Sequence, residues 1–414
     1  MTVSTTLARS AQASPNERVH LGIIGVRGMG FGHLQSYLKM TEAAVVSVCD
    51  VDESMLARAG ETVKSIANRD VNKVSDFRRV LDDNSVDAVV IATPHHWHAP
   101  IAVRAMQAGK DVYLEKPASH VFREGRIIAN AAKKYDRIVQ HGTQMRSSEV
   151  TRKAADVIQS GILGEIKTTK AWNVQKHRHE APIPDEPVPA GVDYDMWLGP
   201  AMLRPFNRHR FHGYWAWMRE YGNGDIGNDG SHDLDMARFG LGVTTHPVRI
   251  TAHGSRIALT GEREYPDNMM VAYQYAEGKT LLYEDRGWSP YHPHGYDSGN
   301  AFYGTEGWML FTRRGFFQAY LGPKEEPGPR FKGDSGHPAH RLNFLECVKS
   351  RQQPAANAEV AHLSCALSHL GEIGYRVGRV LNFDPASEQI LDDPEANRLL
   401  TKSYRDPWGL PELG

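Results

Sequence analysis

Along the first third of the chain, apolar residues fall into short unbroken runs, separated by segments whose apolar positions recur every three or four residues. Runs of the first kind suit strands buried on both faces, and segments of the second kind suit helices lying on a sheet. His20 to Ile24 is the first run, and a helical pattern with Leu34, Tyr37 and Leu38 on one face follows it. "AAVVSVCD", ending at Asp50, is the second; Ala88 to Ala92, Asp111 to Leu114 and "RIVQHGTQ" continue the series. Between them the pattern predicts helices over 100–108 and 124–134. Strand and helix alternate, as a doubly wound parallel sheet requires.

After Gln144 the pattern changes. A helix over 148–159 and a strand over 166–174 lead into "HEAPIPDEPVPAG", whose prolines mark a loop. Further strands are expected in "PVRITAHGS", "NMMVAYQYAEGKTLLYEDRG" and "NAFYGTEGWMLFTRRGFFQAYLG", with a hairpin around Ala276 to Lys279. Helices return only at "AHRLNFLECVKS" and "EVAHLSCALSHLGEIGYRVGRVL". The second part therefore reads as a large antiparallel or mixed sheet.

Composition narrows the function. A chain of 414 residues exceeds the size of one core, so two domains are expected. Its 48 basic and 49 acidic residues leave a net charge of −1, which offers no field for nucleic acid or an anionic membrane and points to a small-molecule partner. Cys49, Cys347 and Cys365 are too scattered for a zinc ribbon or a disulfide framework. No apolar run is long enough for a membrane helix. Residues 1–18 are small and polar and read as a disordered tail. Within it, Ala11-Gln12-Ala13 has the form of a signal cleavage site, so the compartment is cytoplasmic by default and periplasmic if an export signal has been removed.

Strand, glycine turn, helix, and an acid at the end of the next strand are what a dinucleotide needs. The helix start offers N–H groups to the pyrophosphate, and the acid takes the ribose hydroxyls. Here these are Gly25, Gly28, Met29 and Gly30 in the turn, and Asp50 twenty residues after Gly30. Arg27 occupies the place of the second glycine, where it can pair with the pyrophosphate. Asp50 with no arginine following it repels a 2′-phosphate, so NAD is expected in preference to NADP. Ligands in such sheets gather at the carboxyl ends of the strands, so Thr93, Pro94, Glu115, Lys116 and Gln144 should line one crevice, with His95 and His98 near the cofactor.

"GIIGVRGMG", "ATPHHWH", "EKPAS" and "GNDGSHDLDMARFGLG" together resemble the Gfo/Idh/MocA oxidoreductase family, over nearly the whole chain from about residue 19. "WLGPA", "NAFYGTEGW" and the stretch from "HPAHRLNFLECVKS" onward look like a bacterial branch whose members are often exported and act on sugars or glycosides. The resemblance implies an α/β fold: an amino-terminal Rossmann domain with a doubly wound parallel sheet over 19–145, and a carboxyl-terminal α/β domain over 146–414 with a large, mostly antiparallel open sheet. It further implies an NAD(P)-dependent dehydrogenase acting on CH–OH groups, and a homodimer or homotetramer formed through the carboxyl-terminal sheet.

The chemistry asks for a group that takes a hydroxyl proton and steadies an alkoxide. Lys116, at a strand end in a partly desolvated crevice, can do both, with Glu115 steering its charge. Lys116-Pro117 resembles the family's cis bond. His232 should lie in the first turn of a helix over 231–241, with Leu234, Ala237 and Leu241 buried. The helix terminus disfavours its protonated form and the neighbouring carboxylates favour it, which predicts a pKa near neutrality, with Asp235 orienting the ring. The family usually carries an aspartate four residues before this histidine. Here that place holds Asn228, and the aspartate is Asp229, so either Asp229 shifts in or Lys116 and His232 share the work.

Phe206, Phe211, Tyr214, Trp215 and Trp217 interleave with Arg208, His209, Arg210 and His212, a mixture of aromatic faces and hydrogen-bonding rims that suits a sugar ring. Trp172, His212 and Trp217 are expected at the substrate beside Asn228, Asp229 and His232. A metal is not expected: there is no H-E-x-x-H, and His95, His96 and His98 after a strand point in different directions. The expected activity is hydride transfer between NAD and a carbinol carbon of a sugar, glycoside or cyclitol. The alternatives are glycoside cleavage by transient oxidation and elimination on retained NAD, and a non-catalytic NAD- and sugar-binding protein.

Overall fold

The computed structural model describes residues 18–177, 181–259 and 261–411, so the tail expected over 1–18 lies, apart from Arg18, outside the described residues. Six strands, β1 (Val19–Ile24), β2 (Ala43–Cys49), β3 (Asn72–Val74), β4 (Ala88–Ile91), β5 (Asp111–Leu114) and β6 (Val139–His141), form a parallel sheet in the order β3-β2-β1-β4-β5-β6. Helices α1 (Gly28–Tyr37), α2 (Glu53–Ala67), α3 (Phe77–Leu81), α4 (His98–Gln107) and α5 (Phe122–Lys134) connect them. β4 and β5 are buried at every position, as their unbroken apolar runs require. The strand order reverses between β1 and β4, which places a crevice at their carboxyl ends.

The second sheet has ten strands in the order β14-β13-β12-β11-β7-β10-β9-β8-β15-β16. These are β7 (Ile166–Asn173), β8 (Arg249–Ser255), β9 (Asn268–Gln274), β10 (Thr280–Arg286), β11 (Ser298–Gly304), β12 (Gly307–Thr312), β13 (Phe316–Leu321), β14 (Glu326–Lys332), β15 (Leu381–Asp384) and β16 (Gln389–Ile390). Only β7 and β10 pair in parallel; the other pairings are antiparallel. The expected hairpin joins β9 to β10, with Tyr275 N donating to Lys279 O at 2.9 Å.

The helices of this part are α6 (Glu149–Gln159), α7 (Tyr194–Leu198), α8 (Arg208–His212), α9 (Gly224–Asn228), α10 (Gly230–Leu241), α11 (His337–Ser350), α12 (Ala358–Val377) and α13 (Pro394–Arg398). α10 and α12 pack on one face of the large sheet, where Leu234, Ala237, Leu241, Leu367 and Leu370 meet Tyr273, Tyr283 and Phe302. α12 also lies against α5, so one helix serves both sheets. Near this junction Glu388 accepts from Arg126 Nη2 at 2.8 Å, His362 Nε2 at 2.9 Å and His246 Nε2 at 3.1 Å. His246, His362 and Glu388 are the one set of metal-ligand types that converges among the described residues. Both rings point at the same carboxylate oxygen, as does Arg126, so the group reads as a buried anion satisfied by donors.

Residues after α13 return to the first domain. Trp408 is buried against Trp97, with ring centroids 5.0 Å apart, beneath Arg78, and Arg104 Nη2 donates to Gly409 O at 2.7 Å. Cys49, Cys347 and Cys365 are all buried and unpaired. No described helix is long and apolar enough to cross a membrane.

Candidate active site

The glycine turn forms one end of a cleft at the carboxyl edge of the parallel sheet. Gly25 has φ +85°, and a Cβ on Gly30 would stand 1.8 Å from Gly25 O, so the turn closes only with glycine at both positions. α1 begins at Gly28 with no side chain capping it, which leaves its first N–H groups open to an anion. Arg27 does point outward, but its Nη1 donates to His212 O at 2.6 Å, bridging the glycine turn to the last residue of α8.

Asp50 accepts from Val26 N at 2.8 Å and Asp52 N at 3.1 Å, yet burial outweighs these bonds and pushes its carboxyl up to about 6. Asp52 caps α2 by accepting from Ser54 N at 2.9 Å. Ser75, Phe77 and Met55 line the same end of the cleft. Thr93 Oγ1 is buried and has no partner among the described residues, an orphan that a bound ligand can satisfy. The open helix start, the close-packed glycines, the acid and this orphan all fit a dinucleotide.

Lys116 follows β5, and the Lys116–Pro117 bond is cis. His98 sits between Thr93 O at 2.9 Å and Pro117 O at 2.6 Å, so it ties together the turns after β4 and β5. Glu115 is buried; its Oε1 takes His33 Nε2 at 2.8 Å, and His33 Nδ1 in turn accepts from Arg341 Nε at 3.1 Å. His33 and Lys116 overcome the burial of Glu115 and hold its carboxyl down to about 2. Lys116 Nζ reaches across to the second domain, donating to Asn228 Oδ1 at 2.8 Å and lying 3.6 Å from Asp229 Oδ1.

Asn228 closes α9 and Asp229 is the single residue between α9 and α10, so the expected helix is preceded by a second short one. The start of α10 is fixed by β11, where Ser298 Oγ donates to Asp233 Oδ1 at 3.0 Å and Asn300 Nδ2 to Asp233 O at 2.7 Å. Burial pushes the Asp233 carboxyl up to about 7. Arg313, in the turn between β12 and β13, lies 3.5 Å from Asp229 Oδ1. Asp229 is thus flanked by Lys116 and Arg313, which overcome its burial and hold it well below the usual carboxylate range. His232 is buried and its ring has no hydrogen-bond partner among the described residues. Burial first, then Arg313 and Lys116, push it well below the ordinary histidine value, against the expectation of neutrality.

Several expected placements are corrected. Asp235 does not orient His232; it accepts from Arg146 Nε at 2.8 Å and from Ser364 Oγ at 2.6 Å, because its side chain turns toward α12. Gln144 does not join the cleft: its Nε2 lies 3.3 Å from His337 Nδ1. Trp172 is 0 % exposed in β7 and donates to Tyr296 O at 2.9 Å, so it belongs to the core rather than to a substrate surface. Trp217 also lies off the cleft wall, its Nε1 donating to Asp225 Oδ1 at 3.0 Å. His212 lines the cleft, but at the glycine-turn end beside Arg27. The cleft wall includes Gly25, Arg27, Gly28, Met29, Asp50, Thr93, Pro94, His95, His98, Glu115, Lys116 and Asn228, with Asp229 and His232 immediately beyond Asn228. Sequence reasoning missed Arg313, Asn223 and the placement of Trp215 on that wall. Nothing local marks them, since strand pairing and loop packing bring them in.

Residues 19–143 match the family model described as "Oxidoreductase family, NAD-binding Rossmann fold", and residues 149–297 and 333–410 match "Oxidoreductase family, C-terminal alpha/beta domain". A levoglucosan dehydrogenase of Pseudarthrobacter phenanthrenivorans is 24% identical over 353 residues, covering 75% of this chain and 82% of the relative. A glycosyl hydrolase family 109 protein of Shewanella sp. (strain MR-4) is 25% identical over 169 residues, but that covers only 39% of this chain and 36% of the relative. Among solved structures, a levoglucosan dehydrogenase in complex with NADH superposes with a TM-score of 0.69 at 18% identity, covering 88% of this chain and 98% of that one. With both domain models matched and the two-sheet architecture in place, the chain belongs to the Gfo/Idh/MocA family of oxidoreductases, with an NAD-binding Rossmann domain.

Proposed function

We propose that this protein is an NAD-dependent dehydrogenase that moves a hydride between nicotinamide and a carbinol carbon of a sugar or related polyol, and that it takes NAD in preference to NADP. The observation that carries the reading is the meeting of Lys116 with the α9–α10 junction, Nζ lying 2.8 Å from Asn228 Oδ1 and 3.6 Å from Asp229 Oδ1 at the end of the dinucleotide cleft. Asp50 and Asp52 at the other end support NAD, because a 2′-phosphate would meet two acids there. The levoglucosan dehydrogenase relative supports a sugar as substrate.

When bound, NAD supplies the hydride acceptor. Residues 25–30 and Asp50 would hold it through the open N–H groups of α1 and the ribose hydroxyls. His232 is unpartnered, so a ring nitrogen is free to take the hydroxyl proton, the alkoxide left behind offsetting the cations that otherwise disfavour a charged ring. Lys116 presents its ammonium to the oxygen that loses this proton and lowers the energy of the alkoxide. Asp229 turns its carboxylate to Lys116 and Arg313, and the unpartnered ring of His232 is left to face the hydroxyl. Asn228, an amide in the family's acid position, serves by accepting from Lys116 and aiming its Nζ.

The test is a turnover screen of levoglucosan, free aldoses and cyclitols with NAD+ and NADP+, repeated with Lys116→Ala and His232→Ala. Each substitution is expected to lower kcat by about 10²–10⁴-fold; full turnover in both variants on a sugar that the parent protein oxidises would overturn the assignment. The partial match to family 109 glycosyl hydrolases supports a second reading, glycoside cleavage on retained NAD. Free sugar released from a glycoside without net NADH would select it.

A further inference from the structure

We infer that His95 accepts a hydrogen bond from a substrate hydroxyl, with Trp215 as the aromatic wall beside it and Asn223 as the positioning residue that fixes the imidazole in the accepting state. The inference rests on the sugar reading above and specifies one contact by which the site would recognise its substrate.

The orientation of the Asn223 amide is set by its surroundings. Its Nδ2 lies 2.8 Å from the backbone carbonyl of His120, which can only accept, so that end is the nitrogen. The other end, Oδ1, then faces His95 Nδ1 at 2.9 Å. An amide oxygen cannot donate, so the proton of the imidazole must be on Nδ1. A second proton is disfavoured: His95 is 2 % exposed, and burial, His98 and Lys116 together push its pKa well below the ordinary value. Nε2 therefore carries a lone pair. It has no partner among the described residues and is not sealed off from the cleft, whose wall the ring forms.

Trp215 meets this ring edge-on, with centroids 4.8 Å apart at 88°, and lines the same wall. An aromatic face beside a fixed acceptor matches a sugar, whose C–H face packs on the ring while a hydroxyl donates. Asn223 and Trp215 both come from the segment between β7 and β8, outside the parallel sheet that holds the glycine turn. A residue at the end of β4 is thus anchored by the other domain, on the side of the cleft where Lys116 stands.

Kinetics of His95→Leu, His95→Gln, Asn223→Ala and the His95→Leu/Asn223→Ala pair test this on the sugar that the parent protein turns over best, with NADH affinity read by fluorescence. His95→Leu is expected to raise KM for the sugar about three- to tenfold, the worth of one neutral hydrogen bond, with kcat and the NADH Kd unchanged. Asn223→Ala should reproduce this split, the pair should be no worse than the worse single variant, and His95→Gln should recover part of the affinity through its amide oxygen. Weakened NADH binding with an unchanged sugar KM would make His95 a cofactor group and overturn the inference. So would additive losses in the pair, or an unchanged KM in both His95 variants. If the parent protein turns over no sugar at all, the sugar reading itself fails and this inference falls with it.

Discussion

At the scale of single residues, the decisive effect is the cation pair around Asp229. Lys116 and Arg313 stand 3.6 and 3.5 Å from the same carboxylate oxygen, and their fields reach His232 as well. Removing one of them should let His232 protonate more easily. For Arg313→Met the acid limb of kcat/KM, which reports loss of the neutral imidazole, is expected to move to higher pH; a limb that stays in place would mean that His232 is not the base. Asp50 makes a second prediction. Its carboxyl, pushed up to about 6, must ionise to accept ribose hydroxyls strongly, so the Kd for NAD+ should fall as pH rises through that value. Asp50→Asn should flatten the dependence, as isothermal titration across pH 5 to 8 would measure. Asp50 was legible in the sequence because its distance from the glycines is short and local. Arg313 was not, because it reaches Asp229 only after β12 and β13 have paired.

At the scale of elements, the glycine turn and the start of α10 differ in how much of their geometry is local. The turn is set by the close-packed glycines of residues 25–30 and pinned by the neighbouring strand ends, Gly25 N donating to Cys49 O at 2.8 Å and Val26 N to Asp50 Oδ2 at 2.8 Å, and its departure from the usual fingerprint at Arg27 is absorbed by a contact with His212 O. Gly30 and Gly28 should respond differently to alanine. At Gly30 the added carbon meets backbone at 1.8 Å, so the turn must move; at Gly28 nothing lies within 4 Å and only φ +44° is strained. Thermal unfolding should therefore show Gly30→Ala destabilised by about 1–3 kcal/mol or more, and Gly28→Ala by about 1–2 kcal/mol. Equal losses would mean that strain rather than space governs the turn. The helix over 231–241 was readable from its apolar spacing, and Leu234, Ala237 and Leu241 are buried as expected, although every other residue of it except Phe239 is buried too. The direction of Asp235 was not, since its neighbour on the same helix face competes with Arg146 and Ser364 from elements distant in sequence. Trp172 and Trp217 failed for a related reason: aromatic composition marks a region, but only packing decides which rings face a cleft and which fill a core.

For the whole molecule, the two sheets are joined through α5 and α12 and by the carboxylate of Glu388 near that junction. Its donors hold that carboxyl below the usual range, so it contributes stability that is present above the ordinary glutamate pKa and lost as pH falls below it. Glu388→Gln should cost about 2–4 kcal/mol near neutrality, a buried-pair loss reduced for partial solvent access, and the cost should shrink in acid. Denaturation followed from about pH 7 through the ordinary glutamate pKa down to about pH 2.5 measures both. An unchanged melting temperature at neutral pH would remove Glu388 from the junction's energetics.

The return of residues 405–410 to the first domain carries a consequence for biosynthesis. Phe77 and Trp97, which line the cleft, are backed by Trp408. On a ribosome the strands of the parallel sheet emerge well before the indole that backs its cleft. Until then Trp97 lacks that cover. Nascent chains stalled before residue 400 should accordingly bind NADH poorly, and release of the full chain should restore that affinity.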